Sequence, residues 1–210
     1  MNANQHFSLD ISALFSGKSV AHTRKPRSGR LQGPAWLVVI DPQVIFADAS
    51  SPWAAHRFDD AMSVIANIAP RFDERVLVTR WVPPTTHIGS WRAYFRRWPF
   101  ADRPPVDPLF DLVPDAANLS PFPPIDLPTF GKWGPQLQTL LGPTPNLVLA
   151  GCATDCCVIS TALAAADAGA AVRIVSDACA GSSNENHTAA LHVMSLYDPQ
   201  IRVITSADIR

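Results

Sequence analysis

Five short runs dominated by Val, Ile and Leu recur along the 210-residue chain: WLVVID (36–41), RVLVTR (75–80), NLVLAG (146–151), VRIVSD (172–177) and IRVIT (201–205). Each carries apolar residues toward both faces, as strands of a buried parallel sheet do. Stretches with helical periodicity separate them, at Arg57 to Pro70, Cys157 to Ala168 and Glu185 to Tyr197. IDLPTFGK (125–132) supplies a sixth, poorer strand. The alternation predicts an α/β fold, a doubly wound, mostly parallel six-stranded sheet with helices on both faces.

Length allows one large domain, 35–210, preceded by an arm, 1–34. The arm is polar and irregular, and Lys18 to Arg30 holds five Lys/Arg without interleaved aromatics. That composition suits an extended arm lying on this or a neighbouring subunit better than a grip on single-stranded nucleic acid. Hydrophobic residues make up 47% of the chain and charged residues 17%, which excludes global disorder. A net charge of −1 gives no field toward nucleic acid or anionic lipid, so the expected partner is a small-molecule substrate. No apolar run approaches the roughly 18 residues of a membrane span, and the start, MNANQHFSLDISALF, lacks the charged and apolar regions of a secretory signal. The expected location is cytoplasmic, with no membrane partner and with Cys152, Cys156, Cys157 and Cys179 free.

The region 81–128 breaks the strand and helix rhythm, with 11 of the chain's 20 prolines and Trp81, Trp91 and Trp98. A Pro-rich insertion this long is more often functional than accidental, and ligands of open α/β sheets sit beyond the carboxyl ends of the strands. The insertion is therefore placed to wall a pocket. Within it, GSWRAYFRRWPF (89–100) puts Trp91, Tyr94 and Phe95 on one helical face and Arg92 and Arg96 on another, with Arg97 beside them. Two readings stay open: an aromatic wall with an arginine for a substrate carboxylate, or an interface helix.

GCATDCCVIS (151–160) joins the strand NLVLAG to a helix ending at Gly169. Thr154 is a candidate N-cap, which puts Cys157 in the first helical turn, where free N–H groups favour a thiolate and lower its pKa. Asp41 closes the first strand at the same sheet edge, and Lys132 follows PTFG. An ammonium between carboxylate and thiol would favour both anions, so the three make a base, a stabiliser and a nucleophile on three strand ends. Each alone has a plainer reading: a strand-closing Asp capping a turn, a solvated Lys, a Cys serving as a small hydrophobe. The last suits Cys179.

These residues resemble the isochorismatase-like cysteine hydrolase superfamily, which includes nicotinamidases and carbamoylsarcosine amidases. The likeness covers roughly 35–206 and rests best on Gly151-Cys152-Ala153-Thr154-Asp155-Cys156-Cys157-Val158, the pattern G-x-x-T-D-x-C-V, together with VVIDPQVIF around Asp41 and FGKWGPQL around Lys132. The resemblance implies Cys157 as nucleophile, Asp41 as general base, Lys132 as third triad member and a cis peptide before Ala153. The N–H groups of Ala153 and Cys157 would then form an oxyanion hole. It also implies a homodimer or homotetramer. Phe46, Trp91, Tyr94 and Trp133 are the candidate substrate pocket. The nicotinamidase metal motif, Asp-x-His after the second strand, has no counterpart in TRWVPPTTH, where Trp81, Val82 and Pro83 stand; His87 alone makes no zinc site. No metal and no cofactor are expected.

The expected activity is a cysteine amidohydrolase, cleaving a C–N bond of a small amide or carbamoyl compound through a thioester. Two alternatives remain: a vinyl-ether hydrolase of the isochorismatase type, which needs an acid more than a nucleophile, and a non-catalytic binding protein that kept the fold. A thiol redox role lacks the C-x-x-C spacing.

Overall fold

The computed structural model describes residues 34–209. The predicted arm, apart from Pro34, falls outside the described residues. Six strands form one sheet: β1 (Ala35–Ile40), β2 (Val76–Trp81), β3 (Ile125–Leu127), β4 (Asn146–Cys152), β5 (Ala171–Ala180) and β6 (Ile201–Ile204). Their order is β3-β2-β1-β4-β5-β6, and every neighbouring pair is parallel. The chain winds outward from β1 through β2 to β3, then restarts at β4 and winds the other way. The order therefore reverses between β1 and β4, where an open α/β sheet leaves a crevice beyond its carboxyl ends.

Helices cover both faces, as the strand patterns require. The helices are α1 (Val44–Ala47), α2 (Phe58–Ile68), α3 (Trp91–Arg97), α4 (Pro135–Leu141), α5 (Ile159–Asp167) and α6 (Asn184–Ser195). Leu37, Val39, Val76, Val78 and Val148 meet Phe58, Met62 and Ile65 of α2 on one face. Their strand neighbours Val38, Ile40, Leu147 and Leu149 turn the other way, onto Leu137 of α4, Ala162, Ala165 and Ala166 of α5, and Met194 of α6. The alanines of α5 let its backbone approach the sheet closely.

β3, the poorer strand predicted within 125–132, has only three residues, because Pro128 has no N–H to extend the ladder. The Pro-rich insertion contains α3 and short 3₁₀ turns, and it packs onto the α2 face through Phe95 and Phe110. Trp53, ahead of α2, is the hub of that packing, with Trp81, Phe100, Tyr94 and Trp98 rings centred 5.2, 5.1, 5.8 and 6.0 Å away. The fully buried Gln43 fastens the same region to the sheet. Its amide nitrogen donates to the carbonyls of Trp81 (3.0 Å) and Phe110 (2.7 Å), and its amide oxygen accepts from the N–H of Trp81 (2.7 Å).

Gly151 marks the tightest approach of β1 and β4. Its φ is +105°, and a Cβ there would lie 2.2 Å from the carbonyl oxygen of Ile40. Gly151→Ala is expected to cost roughly 2–5 kcal/mol, from the left-handed backbone and the forced separation of the two strand ends together. Urea unfolding of the two proteins checks this, and a loss under 1 kcal/mol would mean the strand ends part easily.

Candidate active site

Asp41 leaves β1 at the strand-order reversal with φ +48°, a conformation few non-glycine residues adopt but one that Asp tolerates. Its carboxylate is fully buried. Thr79 of β2 braces it twice, donating its hydroxyl to Oδ1 (2.7 Å) and accepting the N–H of Asp41 (3.2 Å). The Asp41 carbonyl accepts from the N–H of Gln43 (2.8 Å) and from the Cys152 thiol (3.1 Å). Backbone and side chain are thus both held, and the remaining oxygen, Oδ2, lies 2.9 Å from Nζ of Lys132.

Lys132 comes from the segment after β3, and its ammonium is as buried as its partner. An unpaired charge there would cost several kcal/mol, so the site satisfies it closely. Nζ also donates to the carbonyl of Thr129 (2.8 Å), while the Lys132 N–H donates to Thr161 Oγ1 (2.9 Å). Thr161, on α5, passes its own hydroxyl proton to the carbonyl of Cys157 (2.6 Å). One buried threonine therefore fixes Lys132 and Cys157 relative to each other.

Cys157 lies in the first helical turn, as the sequence predicts, but that turn, Thr154–Val158, is wide and π-helical and runs into α5 at Ile159. The N–H groups of Cys156 and Val158 both close on the carbonyl of Ala153, at 3.0 and 3.1 Å. Thr154 does not cap the turn, because its hydroxyl is engaged by Nδ1 of His187 at 2.9 Å. The peptide between Cys152 and Ala153 is cis.

The thiol's acidity also departs from expectation. A hydrogen bond with Cys156, burial and the Asp41 charge push the Cys157 thiol well up, against a smaller downward pull from Lys132. The less buried Cys156 is pulled down by the same hydrogen bond. Helix-terminal N–H groups lower a cysteine's pKa only where water or cations dominate the remaining environment, and here a carboxylate and apolar walls do. Cys179 is a buried free thiol pushed up to about 12, chiefly by burial, which fits the small-hydrophobe reading.

The pocket residues divide between the two cores. Tyr94, partly buried, has its phenol pushed up by burial and by the charges of Cys156 and Cys157, so it lies near the turn that carries them. Trp91 and Tyr94 both pack on Phe130, with ring centres 5.0 and 5.3 Å apart. Phe46 is buried and stacks on Trp53, which places it in the core behind the wall. Trp133 packs beside the core that contains Cys157, with its indole N–H buried and unpartnered. The arginines of α3 turn outward: Arg92, Arg96 and Arg97 are exposed, Arg92 donating to the His87 carbonyl (3.1 Å) and Arg97 lying over the Trp98 ring.

The residues at the expected metal position do not fit a metal. Trp81 is buried in the aromatic cluster, and His87 stacks on Phe95 with Nε2 3.2 Å from Asp102. No group of three or more His, Cys, Asp or Glu among the described residues could hold a metal ion. Sequence reasoning missed Gln43, Thr79, Thr161, Trp53 and Phe130. Gln43 lies two residues after Asp41 and Thr79 near the end of β2, so their position at the sheet's carboxyl edge was the available signal.

The isochorismatase domain profile matches residues 35–208. No curated protein matches the sequence. Among solved structures, the fold is similar to a cysteine hydrolase from Pseudomonas syringae pv. phaseolicola (TM-score 0.69, 17% identity, 83% of this chain and 90% of that one). It is similar also to a nicotinamidase/pyrazinamidase from Acinetobacter baumanii (0.65, 22%, 86% and 100%) and to a MAR1 ribonuclease from Caenorhabditis elegans (0.62, 20%, 83% and 78%). With the profile spanning the whole described sheet, the chain belongs to the isochorismatase domain family.

Proposed function

We propose that the protein is a metal-independent cysteine hydrolase that cleaves a C–N bond of a small amide or carbamoyl compound through a thioester. One observation carries the reading: a fully buried Asp41–Lys132 ion pair whose two charges both act on the Cys157 thiol. A buried ion pair is rarely worth more to stability than apolar side chains of the same volume, so its placement against a thiol favours a chemical role.

Because the resting thiol is held protonated, proton transfer accompanies attack. As Cys157 Sγ forms a bond to the carbonyl carbon, its proton passes to Asp41. Lys132 then balances the negative charge moving between oxygen and sulfur. The N–H groups of Ala153 and Cys157 take the oxyanion, each donor worth roughly 3–4 kcal/mol in the transition state. Asp41 returns the proton to nitrogen as the C–N bond breaks, and ammonia or an amine leaves. Water, losing a proton to Asp41, attacks the thioester; sulfur takes that proton back and the acid is released.

The pocket supports an uncharged substrate. Asp41 and Lys132 are the buried charged side chains among the described residues, and their charges pair with each other, although Asp41 Oδ2 makes no hydrogen bond. A substrate carboxylate would meet aromatic rings there and no spare buried cation.

Ammonia release from a panel of primary amides tests the reaction. Cys157→Ala is expected to lower turnover more than about 10³-fold, and Asp41→Asn about 10²–10⁴-fold. Full turnover by Cys157→Ala on a substrate the parent hydrolyses would sink the scheme, and activity surviving thiol alkylation would move weight to the vinyl-ether chemistry. Lys132→Met is expected to cost about 3–5 kcal/mol of stability as well as activity, since Asp41 is left buried and alone.

The thiol assignments give a pH test in the absence of substrate. Cys157 has a raised pKa, so its thiolate and its iodoacetamide labelling should grow only above the ordinary thiol range, whereas Cys156 should label at lower pH. Lys132→Met removes the cation that pulls Cys157 down and should move its labelling higher still. A Cys157 profile already flat at pH 7 contradicts the assignment.

A further inference from the structure

The proposed reaction uses Asp41, Lys132 and Cys157, yet the two residues ahead of the cysteines, Thr154 and Asp155, make their contacts elsewhere. Their side chains engage α6 and the loop that joins it to β5. Thr154 Oγ1 meets His187 Nδ1 at 2.9 Å. The Asp155 carboxylate accepts the Ser182 N–H at 2.8 Å and the Ser182 hydroxyl at 2.6 Å. Asn186 in turn donates its side-chain amide to Ser182 Oγ at 2.9 Å, tying the arrangement to the first turn of α6.

This loop is anchored on its far side too. The carbonyl of Gly181 accepts the N–H of His56, just before α2, at 2.7 Å. Gly181 is where the parts converge: a Cβ there would lie 2.7 Å from Cβ of His187 and 3.1 Å from Oδ1 of Asp155. The absence of a side chain at 181 is what lets both residues close on the turn.

A π-helical turn holds one residue more than an α-helical turn needs, and that surplus has to be directed by something outside the backbone. On the front, Thr161 fixes the Cys157 carbonyl. We infer that Asp155 and His187 are positioning residues, holding the turn from behind so that the wide step between Ala153 and Val158 presents Cys157 to the Asp41–Lys132 pair. Neither reaches the reacting atoms. Their task is to pull Thr154 and the residue-155 side chain away from the site, which leaves 156 and 157 facing it.

This inference rests on Cys157 being the nucleophile, and the experiment separates the two ideas because alkylation needs no substrate. The rate of Cys157 alkylation by iodoacetamide at pH 9, read by fragment-ion peptide mapping, is compared in the parent, His187→Phe, His187→Asn and Asp155→Ala. Phe keeps a ring but cannot bond Thr154, whereas Asn places a polar group near the position of Nδ1. His187→Phe and Asp155→Ala are expected to slow Cys157 alkylation by about tenfold, with Cys179 labelling unmoved and melting within a few degrees of the parent. His187→Asn should restore most of the rate. On any amide the parent hydrolyses, kcat should fall with KM held.

Cys157 alkylation and kcat within twofold of the parent in both variants would overturn the inference, as would equal losses in His187→Phe and His187→Asn. If His187→Phe does not fold, Ser182→Ala, on the exposed loop, removes one donor to Asp155 and must show a smaller change in the same direction. Failure to find any amide substrate would count against the proposed function and leave the alkylation result to decide this point.

Discussion

The ion pair between Asp41 and Lys132 is the constraint to which the surrounding structure answers. Taking two charges wholly out of water costs several kcal/mol per ion, which the surrounding polar groups must offset. Thr79 meets one carboxylate oxygen, the Thr129 carbonyl takes an ammonium proton, and Thr161 takes the Lys132 N–H. These partners come from β2, the segment after β3 and α5. The pair can therefore exist only once both halves of the doubly wound sheet have closed on the crevice between β1 and β4.

The same pair contributes to keeping the thiol a thiol, after the hydrogen bond with Cys156 and burial: the Asp41 carboxylate opposes a second negative charge, and Lys132 offsets it only in part. A resting thiolate would bring its own hazard, since low-pKa exposed thiols are the ones oxidised or alkylated. A Cys157 that stays protonated at rest fits the proposed scheme, with Tyr94 close enough to the cysteines to feel their charge and the arginines of α3 exposed.

Much of this was legible in the sequence. The Val, Ile and Leu runs gave all five long strands to within a few residues, because burial on both faces leaves no other composition open to a parallel strand. Asp41 and the G-x-x-T-D-x-C-V turn could be placed at one sheet edge because strand ends are fixed by where the apolar runs stop. Less legible were Gln43, Thr79 and Thr161. A polar residue beside or within an apolar segment looks the same whether it meets solvent or a buried charge, and each has a partner 29 to 67 residues away. The acidity of Cys157 is less legible still: the hydrogen bond with its neighbour Cys156, burial and the Asp41 field together outweigh its position at a helix start, and none of the three is visible in the spacing of residues.

By itself the sequence determined the parallel α/β architecture and the family turn, since both follow from patterns within a few residues of one another. Only the tertiary structure decided that Asp41 and Lys132 pair in full burial, that Thr154 bonds His187 and does not cap a helix, and that Phe46 stacks on Trp53 in the core while Tyr94 lies near the two cysteines. Each of these depends on which distant segments share a volume. That is set by the winding of the sheet and the packing of its two faces, and no spacing along the chain encodes it.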